Sequence, residues 1–168
     1  MKPRVSIIMG SVSDLPVLQK AAIVLNDFQT PFEMLALSAH RTPAEVEDFA
    51  TNARARGVEA IIAAAGMSAH LPGVIAALTT LPVIGLPINS SLDGVDALLS
   101  IVQMPPGIPV ATVGVNAAVN AALLSIQILA ANDETLREKL SAYKLALKDK
   151  IVTANRDLSA IKYPFKTN

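Results

Sequence analysis

The chain has two imidazoles, His40 and His70, each set in a string of small and hydroxyl residues. The strings are Ser38-Ala39-His40-Arg41-Thr42-Pro43 and Ser68-Ala69-His70-Leu71-Pro72-Gly73. An imidazole titrates near neutrality and shuttles a proton, and an arginine beside it holds an oxyanion or phosphate through two parallel bonds. His40 with Arg41 therefore combines a general acid/base with an anion clamp, which makes His40 the first catalytic candidate. A structural loop histidine is the competing reading, and on residue type alone the commoner one. His70 either reaches the same cleft or caps a helix.

A third string, Gly10-Ser11-Val12-Ser13-Asp14, joins an apolar run to a helical pattern. Free N–H groups and the dipole at a helix start favour a phosphate, and Ser11 and Ser13 add hydroxyl donors. Capping of the helix by Ser13 or Asp14 alone is the competing reading. The string lacks the Gly-Lys-Ser/Thr ending of a nucleoside triphosphate loop and the glycine pattern of a dinucleotide loop, so neither ligand is expected. A metal held by His40, His70 and Asp14 is a sparse ligand set and is not expected either. Gly66, Ser68 and Ala69 let backbone approach a ligand closely, or serve tight helix-to-sheet packing. Three prolines stiffen residues 103–109 into either a rim or an inert connection.

These strings need a scaffold, and hydrophobic periodicity supplies it. Apolar runs over residues 4–9, 32–37, 58–65, 81–86 and 109–113 read as strands. Between them, helical spacing recurs around Leu18-Ala21-Ala22-Leu25, over 44–56, from the loop at 66–70 through about Leu78, and over 95–102 and 116–131. Alternation of this kind implies a mostly parallel five-stranded sheet between helical layers, with ligands beyond the carboxyl ends of the strands. The loops 10–14, 38–43 and 66–73 all fall there.

Composition narrows the class. Fourteen Lys and Arg balance fourteen Asp and Glu, so no global field attracts nucleic acid or an anionic membrane, and an anionic ligand must be held locally. Cysteine is absent, which excludes disulfides and thiolate zinc sites. The apolar run after Met1 is too short for a secretory signal, so a cytoplasmic protein is expected. Residues 97–132 carry no charge, yet Pro105, Pro106, Pro109, Asn116, Asn120 and Gln127 make them a poor membrane span. A helix this apolar is either central or packed on another subunit, and so an oligomer is expected. The chain reads as a single domain, with a core over 1–132 and a charged helical arm over 133–168. Residues 150–168 read as a less regular tail that docks on a neighbour or frays.

Taken together, Gly10-Ser11-x-Ser13-Asp14, the His40 and His70 strings and Ser100-Ile101-Val102-Gln103-Met104-Pro105 resemble the class I PurE family in order from about Val5 to Ala131. The resemblance implies a flavodoxin-like three-layer αβα fold, a homo-octamer with shared active sites, and no metal or organic cofactor. It implies a ribonucleotide substrate and movement of a carboxylate from the exocyclic nitrogen to C4 of an aminoimidazole. It makes His40 the general acid/base, with Ser11, Asp14 and Arg41 on the nucleotide. Ser13, Ser38, Gly66, Ser68 and His70 would line the site, and Ala65, Gly66 and Ala69 a dry pocket for carbon dioxide. Direct carboxylation by the class II form and a non-catalytic nucleotide-binding module are the alternatives. Many members carry Gly-Gly-Ala-Ala-His where this chain has Gly66-Met67-Ser68-Ala69-His70, and Pro106 stands where others have Arg or Gly.

Overall fold

A computed structural model describes residues 1–168, which group into two compact units, 1–129 and 130–168. The first unit is built on five strands: β1 (Val5–Met9), β2 (Phe32–Ala36), β3 (Ala60–Gly66), β4 (Val83–Ile88) and β5 (Ala111–Thr112). They pair in the order β2-β1-β3-β4-β5, every pair parallel. Parallel strands must be joined by crossovers, here α1 (Leu15–Asp27), α2 (Pro43–Arg56), α3 (Leu71–Leu78) and α4 (Val95–Val102), with α5 (Ala118–Leu129) closing the unit. This is the flavodoxin-like arrangement, in which the chain winds away from β1 and β3 in opposite directions and leaves a crevice past their carboxyl ends.

The sheet is buried on both faces, which is why β3 and β4 are continuous apolar runs and β1 is apolar but for Ser6, whose hydroxyl donates to Glu33 at 2.6 Å. Ile7, Ile62 and Ile84 lie in register on one face, each fully buried and contributing about 1.5–3 kcal/mol. α1 and α5 pack together as one helical layer. On the opposite face Ile8, Ile61 and Ala63 join Val46 and Phe49 of α2, Ile75 of α3 and Ile101 of α4 in one cluster. Gly85 belongs to that contact: a Cβ there would meet Ile101 Cγ2 at 2.3 Å, so α4 seats directly on β4. Side-chain volume falls along β3 from Ile61 and Ile62 to Ala63, Ala64, Ala65 and Gly66, which opens room at its carboxyl end.

The first unit departs from the sequence reading in two places. The strand expected over 109–113 shortens to Ala111–Thr112, because Pro109 has no N–H for a ladder, although the Val113 N–H still reaches Gly85 O at 3.1 Å. α5 buries Ala118, Ala121, Ala122, Ser125, Ile126 and Leu129 and exposes Asn120 and Gln127, so it has a core face and an outer face. No helix is long and apolar enough to cross a membrane.

In the second unit, α6 (Glu134–Ala160) is a regular helix that runs ten residues past Lys150, so the irregular segment is only 161–168. Asp133 caps it by accepting from the Leu136 N–H at 3.1 Å. Arg137 pairs with Glu134 and donates to the Ala130 and Ala131 carbonyls at 3.2 Å. Leu145, Leu147, Ile151, Val152 and Leu158 are exposed along the helix.

Candidate active site

The β1 loop is closed by its own hydroxyls. Gly10 extends the ladder by donating to Ala64 O at 3.1 Å, and Ser11 then caps a 3-10 turn over Val12–Asp14. Ser11 Oγ accepts from the Ser13 N–H at 3.3 Å and from the Ser13 hydroxyl at 2.8 Å. Asp14 stands at the start of α1 but makes no capping bond, so helix capping does not account for its carboxylate. That carboxyl is 6% exposed, and desolvation raises it above the ordinary carboxylate range, while hydrogen bonds to Ser13 and the Ser11 backbone pull the other way.

The β2 loop is a tight knot around Ser38. Thr42 Oγ1 accepts from the Ser38 N–H at 2.9 Å, Thr42 N–H returns a 2.9 Å bond to Ser38 O, and Arg41 N–H reaches Ser38 Oγ at 3.2 Å. Pro43 then opens α2, where its missing N–H costs nothing. The knot aims the Arg41 guanidinium back over the β1 loop: Nε bonds Ser38 Oγ at 3.3 Å and Nη2 bonds Gly10 O at 2.6 Å. Two neutral acceptors fix the fork, and its charge faces the cleft.

The β3 loop presents the second histidine. Met67 takes a left-handed φ of 57°, a conformation that favours glycine, and the chain turns so that His70 N–H bonds Ser68 O at 2.8 Å. His70 then directly precedes α3. Because β2 and β3 flank β1, their two loops face each other across the β1 loop. His40 Nε2 and His70 Nδ1 are 2.8 Å apart with ring planes at 88°.

These loops enclose an open cleft of about 700 Å³. Ser11, Ser13, Asp14, Ser38, His40, Arg41, Gly66, Ser68 and His70 all line it, so these nine expected residues meet in one place. Two residues do not follow the expectation. Ala69 is 1% exposed in the hydrophobic cluster and is no part of the cleft wall, whereas Ala65 and Gly66 are. Ser90, after β4, lines the cleft, although it is not among the residues expected there. The signal for it is Gly66: a Cβ there would meet Ser90 Oγ at 2.2 Å.

Of the positions that differ from common PurE strings, Met67 and Ser68 line the cleft and Pro106 does not. A second groove of about 510 Å³, between β2 and α2, holds Glu45, Asp48, Phe49 and Arg56 but neither histidine nor any of the three loops.

The chain matches the AIR carboxylase family over residues 4–150. It is 58% identical over 147 residues to the N5-carboxyaminoimidazole ribonucleotide mutase of Pyrococcus abyssi, covering 87% of this chain and 84% of that protein. It is 50% identical over 164 residues to the phosphoribosylaminoimidazole carboxylase of Saccharomyces cerevisiae, 97% of this chain and 29% of that longer protein. The crystal structure of Treponema denticola PurE is similar with a TM-score of 0.85 at 30% identity, covering 94% of this chain and 99% of that one. With a family match over residues 4–150 and a relative 58% identical over 147 residues, this chain belongs to the AIR carboxylase family.

Proposed function

We propose that the chain is an N5-carboxyaminoimidazole ribonucleotide mutase, an isomerase of de novo purine biosynthesis. The observation that carries this is the placement of His40 and His70 over a cleft whose other wall is the small-residue end of β3, in a chain 58% identical to a mutase.

The buried end of the β1 loop and the Arg41 fork hold the ribose and phosphate, and so supply positioning energy at a distance from the reacting atoms. His40 gives a proton to the exocyclic nitrogen, the nitrogen–carbon bond breaks, and carbon dioxide is released beside C4. Ala65 and Gly66 add no polar group there, and exclusion of water once the nucleotide fills the cleft keeps the gas next to its acceptor. C4 attacks, the carbon–carbon bond forms, and the ring proton on C4 passes to His40. The proton lent at nitrogen is the proton recovered at carbon, so the step balances with no redox cofactor, metal or co-reactant. Ser13, Ser38, Ser68 and His70 complete the binding wall.

A homo-octamer with shared sites and a cytoplasmic compartment belong to the same proposal. What supports assembly is exposed apolar surface around the cleft and beside it. Val12, Met67 and Leu92 are 65%, 61% and 76% exposed on three strand-end loops, and Val95, Leu99 and Val102 form a stripe on α4. A single-domain reading of the whole chain, with 133–168 as an arm, is also part of it.

The identity to a carboxylase keeps direct carboxylation as the second reading. Supplying N5-carboxyaminoimidazole ribonucleotide without bicarbonate separates the two: a mutase forms the C4-carboxylated product, and a carboxylase that needs free carbon dioxide does not. His40→Asn is expected to lower kcat by about 10²–10⁴-fold while nucleotide binding, read by calorimetry, stays within a few-fold. Unchanged turnover would remove His40 from the chemistry, and binding without turnover in the native chain would leave a nucleotide-binding module.

A further inference from the structure

We propose that the Ser90 hydroxyl is a binding group for the migrating carboxyl, donating to one of its oxygens and holding carbon dioxide beside C4 between release and capture. This rests on the mutase reading.

The two serines of the β4 loop are not equivalent. Ser91 Oγ is committed to Asp96, whose other oxygen accepts from the Ala97 N–H at 2.9 Å. Ser90 Oγ has no hydrogen-bond partner and lines the cleft with His40 and Gly66. A hydroxyl left free on a cleft wall is a donor waiting for an acceptor.

Its position is set from two sides. Glycine at 66 lets it stand against the end of β3, since an added Cβ would lie 2.2 Å from Ser90 Oγ and 3.0 Å from Ser90 Cβ. Asn116 holds the loop from behind: its N–H bonds Pro87 O at 2.9 Å and its Oδ1 accepts from the Asn89 N–H at 3.0 Å. Beyond Ser91 the backbone is left-handed at Leu92, Asp93 and Gly94, with φ of 43°, 52° and 80°. Two of these are not glycine, and such conformations persist only where the surroundings fix them. The hydroxyl is therefore pre-set against the narrow, side-chain-free end of β3, where a released carbon dioxide would lie.

In the reaction the nitrogen–carbon bond breaks as the nitrogen gains its proton, and the carboxyl becomes neutral carbon dioxide before C4 captures it. Ser90 O–H donates to a carboxylate oxygen before and after, and to the weaker carbon dioxide oxygen between. No proton leaves Ser90, and the balance of the step is unchanged.

The test uses substrate labelled with carbon-13 in its carbamate, turned over by the full chain in unlabelled bicarbonate. The native protein should keep the label in its product. Ser90→Ala should lose roughly threefold to tenfold more label and release decarboxylated nucleotide, the change that one hydrogen bond to a neutral acceptor supports. Its KM should rise by less than about tenfold, the loss of one hydrogen bond to the bound carboxylate. Ser90→Thr, which keeps the hydroxyl, should restore retention. Equal retention in the alanine variant overturns the proposal, and so does a raised KM with retention intact, which would make Ser90 a nucleotide contact. Product formed by the native protein only when bicarbonate is added would instead overturn the mutase reading, and this inference with it.

Discussion

His40 Nε2 and His70 Nδ1 stand 2.8 Å apart, edge to face at 88°, so one proton lies between two nitrogens that belong to different strand-end loops. A hydrogen bond of this kind needs one donor and one acceptor, so it fixes the tautomer and the ring orientation of His40. On the proposed mechanism His70 is then a positioning residue for the proton carrier, His40. His70→Phe keeps the ring volume and removes the bond, and is expected to lower kcat by about 10–100-fold with KM nearly unchanged, the signature of an interaction made in the transition state. The pH dependence of kcat should change shape, and His70→Asn, which retains a polar partner, should recover part of the loss. A phenylalanine variant with native kcat and pH profile would show that the contact between the rings does nothing for catalysis.

Asp14 joins binding to stability. Its folded-state carboxyl titrates above the ordinary range because burial disfavours the charged form. The folded chain therefore binds a proton more tightly than the unfolded one, and stability falls as pH rises through the carboxylate range and past it. Asp14→Asn removes that penalty. Its melting temperature should exceed the native value at pH 7, and the gain should shrink as the medium is acidified. The same variant should raise the nucleotide KM about tenfold, as expected where a strained binding group is exchanged for stability. Calorimetric melts at two pH values beside steady-state kinetics check both halves. A variant less stable than native at pH 7 would contradict the burial argument.

Much of this site was legible in the chain because strands covered on both faces are apolar runs, and each run stops at Gly10, Ser38 or Gly66, where the chemistry begins. What single residues could not convey was the strand order. Only with β1 between β2 and β3 do two histidines thirty positions apart face each other. Ser90 was hidden for the same reason: its string is ordinary helix-entry chemistry, and its place follows from the β3–β4 register and the missing side chain at Gly66. Ala69 erred in the other direction, since a small residue in a small-residue loop looked like ligand surface, whereas α3 draws it into the core.

Met67 carries a backbone cost that its side chain does not repay. It is 61% exposed and left-handed at φ 57°. For an L residue that conformation costs roughly 1–2 kcal/mol, and glycine avoids it while losing some entropy on folding. Met67→Gly should therefore raise the denaturation midpoint, by a net gain below about 1 kcal/mol. Met67→Val places a β-branched residue where such side chains are outliers and should lower it by more than about 1 kcal/mol. Equal midpoints for the two variants would mean that the loop relaxes to another backbone without loss.

The proposed assembly has its clearest support in exposed apolar surface on α4. Ala97 and Ile101 face the core, while Val95, Leu99 and Val102 stand 51%, 52% and 49% exposed on the far side. Three large aliphatic residues along one short helix form a stripe that water disfavours, and a second copy covers it if the chain assembles. Leu99 is the central residue of the three, and Leu99→Glu would bury a charge in such an interface without disturbing the core beneath. Sedimentation velocity should show the native protein near eight times its 17.6 kDa chain mass and the variant as smaller species. The variant's far-ultraviolet dichroism should stay native, because Leu99 does not support its own subunit's fold. If the exposed loops at Val12, Met67 and Leu92 are also covered in the assembly, kcat should fall as the variant dissociates and recover at high protein concentration. A native chain that sediments at 17.6 kDa would overturn the octamer, and one that is active at that mass would overturn the shared site as well.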